Sequence, residues 1–494
     1  MMVRVDTRAD ERTQDGIDPA RLAICLEVLA ELDRVPVDHP DAITVQRATA
    51  GLYKTAKQRR KLERRAEQLA HDEAITARTA TGAPGRIDDE TQGIPLVSTA
   101  QGAIAGELIQ PRGCYVCKQR YTVVDAFYHQ LCPTCAAKNH ARRDARTDLS
   151  GKRALLTGGR AKIGMYIALR LLRDGAHTTI TTRFPNDALR RFSELEDSAE
   201  WFHRLRVVGI DLRDPAQVVA LADDVASRGP LDILINNAAQ TVRRSEGSYA
   251  PLVAGESEPV RLPSGMTADV LKLGRTTDAH PAALAAPEDG SNHWAPTPHA
   301  LTALAMTARS ATPERIAAST AIDAGGLVPD LHDSNSWVQA VHEVDPVELL
   351  EVQLCNQTAP FILVSRLRPA LAASAARRTY VVNVSAMEGQ FGRGYKGPGH
   401  PHTNMAKAAL NMLTRTSAQE MLETDGILMT SVDTGWITDE RPHPTRVRLM
   451  EEANFHAPLD LVDGAARVYD PIVRGEAGED LYGVFLKDYA PIDW

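Results

Sequence analysis

The sequence predicts an α/β fold: a doubly wound parallel sheet, preceded by an N-terminal helical region and a small zinc-binding module. Three observations carry this. From Leu149 onward, short apolar runs of strand length alternate with helical segments, the pattern of a parallel sheet covered on both faces. Leu155-Leu156-Thr157-Gly158-Gly159-Arg160-Ala161-Lys162-Ile163-Gly164 reads as a strand, a tight glycine turn and a helix start. Shortly before it, four cysteines stand as two Cys-x-x-Cys pairs.

Composition bounds the rest. The 494 residues are 43% hydrophobic and 24% charged, ordinary globular values with material for several domains. The net charge of -8 argues against a nucleic-acid partner bound by charge. Met1 to Gly16 is polar and lacks the apolar core of a secretory signal. No run reaches the ~18 apolar residues of a membrane helix. The expected location is the cytoplasm, where thiols stay reduced, so paired cysteines favour a metal over disulfides.

Residues 1–105 form the expected N-terminal region. Leu22, Ile24, Leu26, Val28, Leu29 and Leu32 make a dense apolar helix that Pro36 and Pro40 break. A second helix runs from about Ala42 to Arg78. Several of its Lys54, Lys57, Arg59, Arg60, Lys61, Arg64 and Arg65 sit three or four apart and can share a face, giving either a solvated surface or a contact for an acidic partner, nucleic acid or another subunit. Residues 81–101 read as a linker rich in Gly, Pro, Thr and Asp.

Residues 106–147 are the cysteine module. Cys114 and Cys117 are separated from Cys132 and Cys135 by fourteen residues. Each Cys-x-x-Cys turn places two sulfurs on one side of a knuckle, and four thiolates close a tetrahedral zinc site without an open position. The zinc is therefore structural. His129 and His140 are close enough to compete as ligands, but the expectation is ordinary surface histidines. Tyr115, Tyr121, Phe127 and Tyr128 are expected to fill the module's small core.

Residues 148–494 are the sheet domain. Strands are expected at 154–156, 178–182, 206–210, 233–235, 380–384, 427–432 and 483–486, with helices at 163–174, 215–227 and 406–423 between them. An insertion at about 240–334 breaks the rhythm. It leaves the sheet at a strand's carboxyl end, where ligands bind in such folds. It is expected to carry short helices around Pro298–Ala311 and Pro313–Ala321 and to serve as a lid or, alternatively, a partner surface.

Further motifs follow in order. Asp211-Leu212 closes the third strand, and Asn236-Asn237-Ala238-Ala239 the fourth. Asn356 lies in a helix. Asn383-Val384-Ser385-Ala386 closes the fifth strand, and Lys407 lies in Met405-Ala406-Lys407-Ala408-Ala409-Leu410. On these motifs, Leu149 to Trp494, the insertion excepted, resembles the short-chain dehydrogenase/reductase family. The resemblance implies a Rossmann-type sheet binding NADP or NAD, a small-molecule carbonyl or alcohol as substrate, and a homo-oligomer formed through the helices near Asn356 and Lys407. It places Thr157, Gly158, Gly159, Ile163 and Gly164 against the cofactor phosphates. Asp211 and Leu212 then meet the adenine, Asn237 and Ala238 the ribose, and Ile437 and Thr438 the nicotinamide end. Lys407 holds the nicotinamide ribose and Asn356 a relay water. Lys162 stands where the family has glycine, so its side chain either crowds the pyrophosphate or binds it. Arg183, assisted by Arg160, suits the 2′-phosphate of NADP better than the ribose of NAD.

The catalytic centre departs from the family. Its serine position is Ala386, and its tyrosine position, four residues before Lys407, is Thr403. An aliphatic hydroxyl is far too weak an acid to replace a phenol directly. Candidate substitutes are Ser385, beside the expected serine position, and Tyr395, His400 and His402 in the segment from Gln390 to Asn404, with His402 slightly ahead of His400 through its place beside Thr403; the alternative is that the Gly and Pro residues of this segment shape a turn and its aromatics merely pack. Asp433, Asp439, Glu440 and Glu388 add carboxylates near the expected pocket, with Arg243 and Arg244 as their natural partners. Two functions follow: an NAD(P)-dependent oxidoreductase with a divergent proton relay, or a nucleotide-binding sensor or scaffold that acts through its zinc module without turnover.

Overall fold

The computed structural model describes residues 16–84, 86, 96–244, 246–274, 326–328, 332–392, 394, 396–453 and 455–494. The chain divides into two compact units, Met1–Glu73 and Ala74–Trp494. In the first, α1 (Pro19–Glu31) is capped by Asp18, whose side chain accepts a hydrogen bond from Ala20 N. The long α2 (Pro40–Arg78) follows. Apolar Leu22, Ile24, Leu26 and Val28 of α1 are exposed.

The second unit begins within the last turn of α2, at Ala74, and carries the cysteine module. β1 (Ile104–Gly113) and β2 (Arg120–Asp125) pair antiparallel, and α3 (Pro133–Arg143) packs on them. Tyr121, Val124, Tyr128, Leu131 and Ala136 are buried within it. The expected linker is anchored where it is described. Thr81 N donates to Phe127 O at 2.9 Å, and Arg86 is buried with its guanidinium on backbone carbonyls.

The main sheet has the strand order β11-β10-β9-β8-β6-β3-β4-β5-β7. Its strands are β3 (Arg153–Leu156), β4 (His177–Thr182), β5 (Leu205–Gly209), β6 (Ile233–Asn236), β7 (Asp269–Lys272), β8 (Thr379–Ser385), β9 (Ile427–Asp433), β10 (Phe485–Lys487) and β11 (Ala490–Ile492). All neighbours run parallel except β10 and β11. The helices of this unit, in chain order, are α4 (Lys162–Arg173), α5 (Pro185–Ser193), α6 (Ser198–Trp201), α7 (Pro215–Ser227), α8 (Ala250–Glu256), α9 (Pro346–Gln353), α10 (Ala359–Ala372), α11 (Pro401–Asp425), α12 (His443–Ala453) and α13 (Leu461–Glu476).

Strands such as β8 and β9 are buried along their whole length. Alternate side chains therefore feed two cores, one on each face. Leu156, Ile180, Ile235 and Val382 meet Ile167 and Leu171 of α4 and Val468 and Ile472 of α13. Leu155, Leu234, Val381 and Met429 meet Leu221 of α7, Leu363 and Leu367 of α10 and Met421 of α11. Each such leucine contributes about 1.5–3 kcal/mol by burial.

Two boundaries differ from the sequence expectation. β7 lies inside the expected insertion and extends the sheet beyond β5, with Val207 opposite Val270. α11 starts at Pro401 rather than Ala406, because Pro is favourable in a first helical turn. His402 and Thr403 are thus helical, not loop residues. The helices expected at 298–311 and 313–321 lie outside the described residues.

Candidate functional site

The sheet reverses its winding between β3 and β6, where doubly wound folds bind ligands at the carboxyl ends of the strands. The glycine turn leaves β3 at this point. Gly158 has φ +72°, and a Cβ there would stand 3.0 Å from Ala238 Cα. A Cβ on Gly164 would come 1.9 Å from Gly158 O. The turn is therefore closed to side chains at both positions. Thr157 Oγ1 accepts from Asn237 N and Ala238 N, both at 3.0 Å. Asn237 Nδ2 returns bonds to Thr157 O and Gly158 O at 3.0 and 3.1 Å. Ala161 caps α4 without a side-chain hydrogen bond, and a helix N-terminus offers N–H groups and the positive end of the helix dipole to an anion. Lys162 takes φ +53°, the left-handed backbone for which glycine is suited.

Two guanidiniums stand beyond the turn. Arg183 at the end of β4 lies 4.9 Å over the Tyr249 ring and donates to its hydroxyl at 3.2 Å. Arg160 pairs with Asp187 at 2.5 Å and lies 5.5 Å over Phe184. Asp211 is clamped by Arg213 at 2.7 Å, and Arg213 also reaches Glu351 at 2.7 Å. Leu212 is buried beside them.

At the other end of the cleft, Lys407 is buried and donates from Nζ to Val384 O at 2.8 Å. Burial pushes its pKa down to about 8, with Cys355, Glu388 and Asp433 opposing. Asn356 lies in a π-turn, Leu354–Thr358, between α9 and α10. Its side chain bonds both Gln240 N and Gln240 O, at 2.7 and 2.9 Å. Such π-turns are frequent at functional sites. Ser385 is buried, and its Oγ donates to Asn411 Oδ1 of α11 at 2.6 Å. Thr403 precedes Lys407 by four residues, so the two share one face of α11.

His402 and Thr403 are each only 2% exposed. Neither ring nitrogen of His402, nor the Thr403 hydroxyl, has a hydrogen-bond partner among the described residues. Burial, then the nearby His400, lowers the His402 pKa. Buried polar atoms without partners are costly and mark places where a ligand or water completes the network. His400 is committed elsewhere, stacked on Trp337 at 4.1 Å with Nδ1 against Trp337 O. Tyr395 lies outside the described residues.

Two of the carboxylates, Asp433 and Asp439, have partners other than Arg243 and Arg244. Asp433 pairs with Lys487 at 3.6 Å and Asp439 with Arg441 at 2.7 Å. Arg243 instead binds Glu348 through its backbone N at 2.7 Å and approaches Glu351 at 3.6 Å. Glu348 and Glu351 were missed in the sequence because helical carboxylates usually face solvent. After β9, Ile437 is buried and Thr438 Oγ1 donates to Glu440 at 3.1 Å.

The four cysteine sulfurs all lie within 4.8 Å of one another. Cys117 Sγ and Cys132 Sγ are 3.6 Å apart, near the ~3.8 Å edge that zinc–sulfur bonds of about 2.3 Å impose on a tetrahedron. Neither expected competitor joins them. His140 bonds Asp125 at 3.1 Å. His129 is buried, not at the surface, because Nδ1 meets Thr81 Oγ1 at 2.8 Å under the anchored segment.

A parallel sheet with a tight glycine turn at its switch point, and a buried lysine at the carboxyl end of the strands, defines a doubly wound α/β protein of the Rossmann type. The short chain dehydrogenase family profile matches residues 152–250. The chain is 32% identical over 373 residues to protein R665 of Acanthamoeba polyphaga mimivirus, spanning 73% of this chain and 71% of that one. The chain belongs to the short-chain dehydrogenase/reductase family. The short chain dehydrogenase/reductase dpchG of Colletotrichum higginsianum is 38% identical over 94 residues, 19% of this chain and 34% of its own length. A short chain dehydrogenase of Burkholderia cenocepacia, solved in complex with NADP, superposes with a TM-score of 0.41 at 19% identity over 69% of this chain and 97% of that one. Among the described residues, no helix is long and apolar enough to cross a membrane.

Proposed function

We propose that this protein is an NADP-dependent oxidoreductase in which His402 and Thr403 replace the usual serine and tyrosine. The observation that carries the reading is the unpartnered pair itself: two buried groups with free hydrogen-bonding atoms, one turn before a buried lysine. A bound nicotinamide supplies or accepts the hydride. The residues of this chain handle the proton. His402, neutral near pH 7 because burial lowers its pKa, takes the proton of an alcohol as hydride leaves the carbon. In reduction the protonated ring returns it to the carbonyl oxygen. The Thr403 hydroxyl holds the reacting oxygen, and the Lys407 ammonium stabilises negative charge there and binds the ribose. Asn356 fixes the Gln240 backbone beneath the pocket.

The turn at Thr157, Gly158, Gly159, Ile163 and Gly164 is read as the pyrophosphate site: Gly158 and Gly164 pack so tightly on Ala238 and on the Gly158 carbonyl that no Cβ fits, which keeps the strand-to-helix turn as bare backbone for a phosphate to approach. Lys162 keeps the backbone path of a glycine there, so its side chain is read as binding rather than blocking. Arg183 and Arg160 favour the 2′-phosphate of NADP. Asp211 and Leu212 line the adenine end, Asn237 and Ala238 the ribose, and Ile437 and Thr438 the nicotinamide end. The cysteines Cys114, Cys117, Cys132 and Cys135 are read as a structural zinc site. Exposed Leu350, Phe361, Met405 and Met412 on α9, α10 and α11 support a homo-oligomer built through that face.

Ala386 and Thr403 favour a second reading, a nucleotide-binding protein without turnover. A screen of carbonyl and alcohol substrates that follows NADPH absorbance separates the two. The first reading expects a substrate whose turnover collapses in the His402→Phe variant. Nucleotide binding with no active substrate supports the second.

A further inference from the structure

The cysteine module is built into the cofactor end of the sheet domain. Its first knuckle, Cys114-Tyr-Val-Cys117, presents Tyr115 to the loop that follows β9. Tyr115 OH accepts a hydrogen bond from Trp436 N at 2.8 Å. Just before it, Gly435 takes φ +77°, and a Cβ there would meet Leu459 at 2.6 Å and Tyr115 OH at 3.7 Å. The loop is thus wedged between the knuckle and the segment before α13. Lys487, paired with Asp433 at the end of β9, lies 5.4 Å over the Tyr115 ring.

Behind the loop the contact is apolar. Tyr128, Leu131 and Ala136 of the module form one buried cluster with Ile437, Leu459 and Leu461, and Ile163 packs against it. Ile163 belongs to the glycine turn and Ile437 to the nicotinamide-side loop. Both lean over Gly464 of α13, where a Cβ would stand 3.0 Å from Ile437 and 3.4 Å from Ile163. Polar links close the seam. Tyr128 OH donates to Asp463 at 2.6 Å, Arg143 grips Asp460 through both carboxylate oxygens at 2.7 Å, and Arg86 donates to Ala457 O and Leu459 O at 2.6 and 2.5 Å.

We propose that the cysteine module is a metal-dependent brace of the nucleotide site: its knuckle, held by the metal, fixes the loop carrying Trp436 and Ile437 through Tyr115, so that metal and NADPH bind cooperatively. The proposal rests on the reading that the sulfurs hold zinc and the cradle holds NADPH. Zinc sets the turn that carries Tyr115. Without it the knuckle loosens, the Tyr115–Trp436 bond is lost, and Ile437 and Ile163 lose their shared backing. Tyr115 is a positioning residue and touches no reacting atom.

Linkage makes the coupling reciprocal. If zinc strengthens NADPH binding, NADPH strengthens zinc binding by the same factor, within the about 5- to 150-fold span of such couplings. The experiment titrates zinc-loaded full-length protein with EDTA, with and without saturating NADPH, and measures NADPH affinity calorimetrically on the loaded protein. The expected result is an EDTA midpoint raised by NADPH, and a Tyr115→Phe variant that keeps its zinc and melting temperature but binds NADPH about three- to tenfold more weakly, the equivalent of one lost hydrogen bond, with a smaller midpoint shift. An EDTA midpoint that NADPH leaves unmoved, in protein that binds both zinc and NADPH, overturns the brace alone. Loaded protein that binds no NADPH, or purified protein without zinc, removes the underlying reading and the brace with it.

Discussion

A side chain on Gly164 would place its Cβ 1.9 Å from the carbonyl oxygen of Gly158. The first turn of α4 thus packs against the chain that follows β3 with no room for a side chain. Gly164→Ala must push the two apart. NADPH binding is expected to weaken at least tenfold, with a lower melting temperature. Calorimetry with circular dichroism checks this. Unchanged affinity would mean that the nucleotide does not use this turn.

Arg183 stands at the end of β4 over the rings of Tyr249 and Phe184, at 4.9 and 5.6 Å, and donates to the Tyr249 hydroxyl. If it meets the 2′-phosphate, Arg183→Ala loses a charge-assisted hydrogen bond, or about 1.5–3 kcal/mol. NADPH affinity should fall about 10- to 100-fold while NADH affinity holds. An equal loss for both cofactors would assign Arg183 to packing.

Lys407 has its pKa depressed to about 8 by burial, against about 10.4 in an unfolded chain. Below pH 8 both states are protonated and folding bears the full cost of burying the ammonium. Between pH 8 and 10.5 the unfolded chain binds more protons, so stability contributed by this site rises with pH. Lys407→Met should therefore be more stable than the parent at pH 7, by about 1–3 kcal/mol, with the gap closing by pH 10. Urea unfolding at the two pH values reads it, and a gap independent of pH would place the charge in water.

His402→Phe keeps a ring in the buried site and removes its nitrogens. Turnover on an active substrate should drop about 10²- to 10⁴-fold, the span of general acid–base catalysis, while NADPH affinity is unchanged. A variant with parental turnover would move the proton to another group.

The strands of the sheet were legible because fully buried strands read as continuous apolar runs, as Tyr380 to Val384 does. β7 was not, since Asp269-Val270-Leu271-Lys272 is a four-residue edge strand with polar ends. The convergence of the four sulfurs was legible from spacing alone. The Tyr115–Trp436 bond spans 321 residues, and no local pattern announces it. The sequence marks Lys162 as a glycine position, but its left-handed backbone comes only from the tertiary turn. His402 and Thr403 stood out by position. Their burial without partners depends on the early start of α11 at Pro401.

The central claim is that the cradle beside Gly158 and Gly164 holds NADP. Calorimetric titration of the purified full-length protein with NADPH and with NADH tests it most directly. The account predicts micromolar NADPH binding at one site per chain, with NADH at least about tenfold weaker, the loss of one charge-assisted contact. Binding of neither nucleotide would contradict it, and would mean that the Lys162 side chain closes the site rather than serving it.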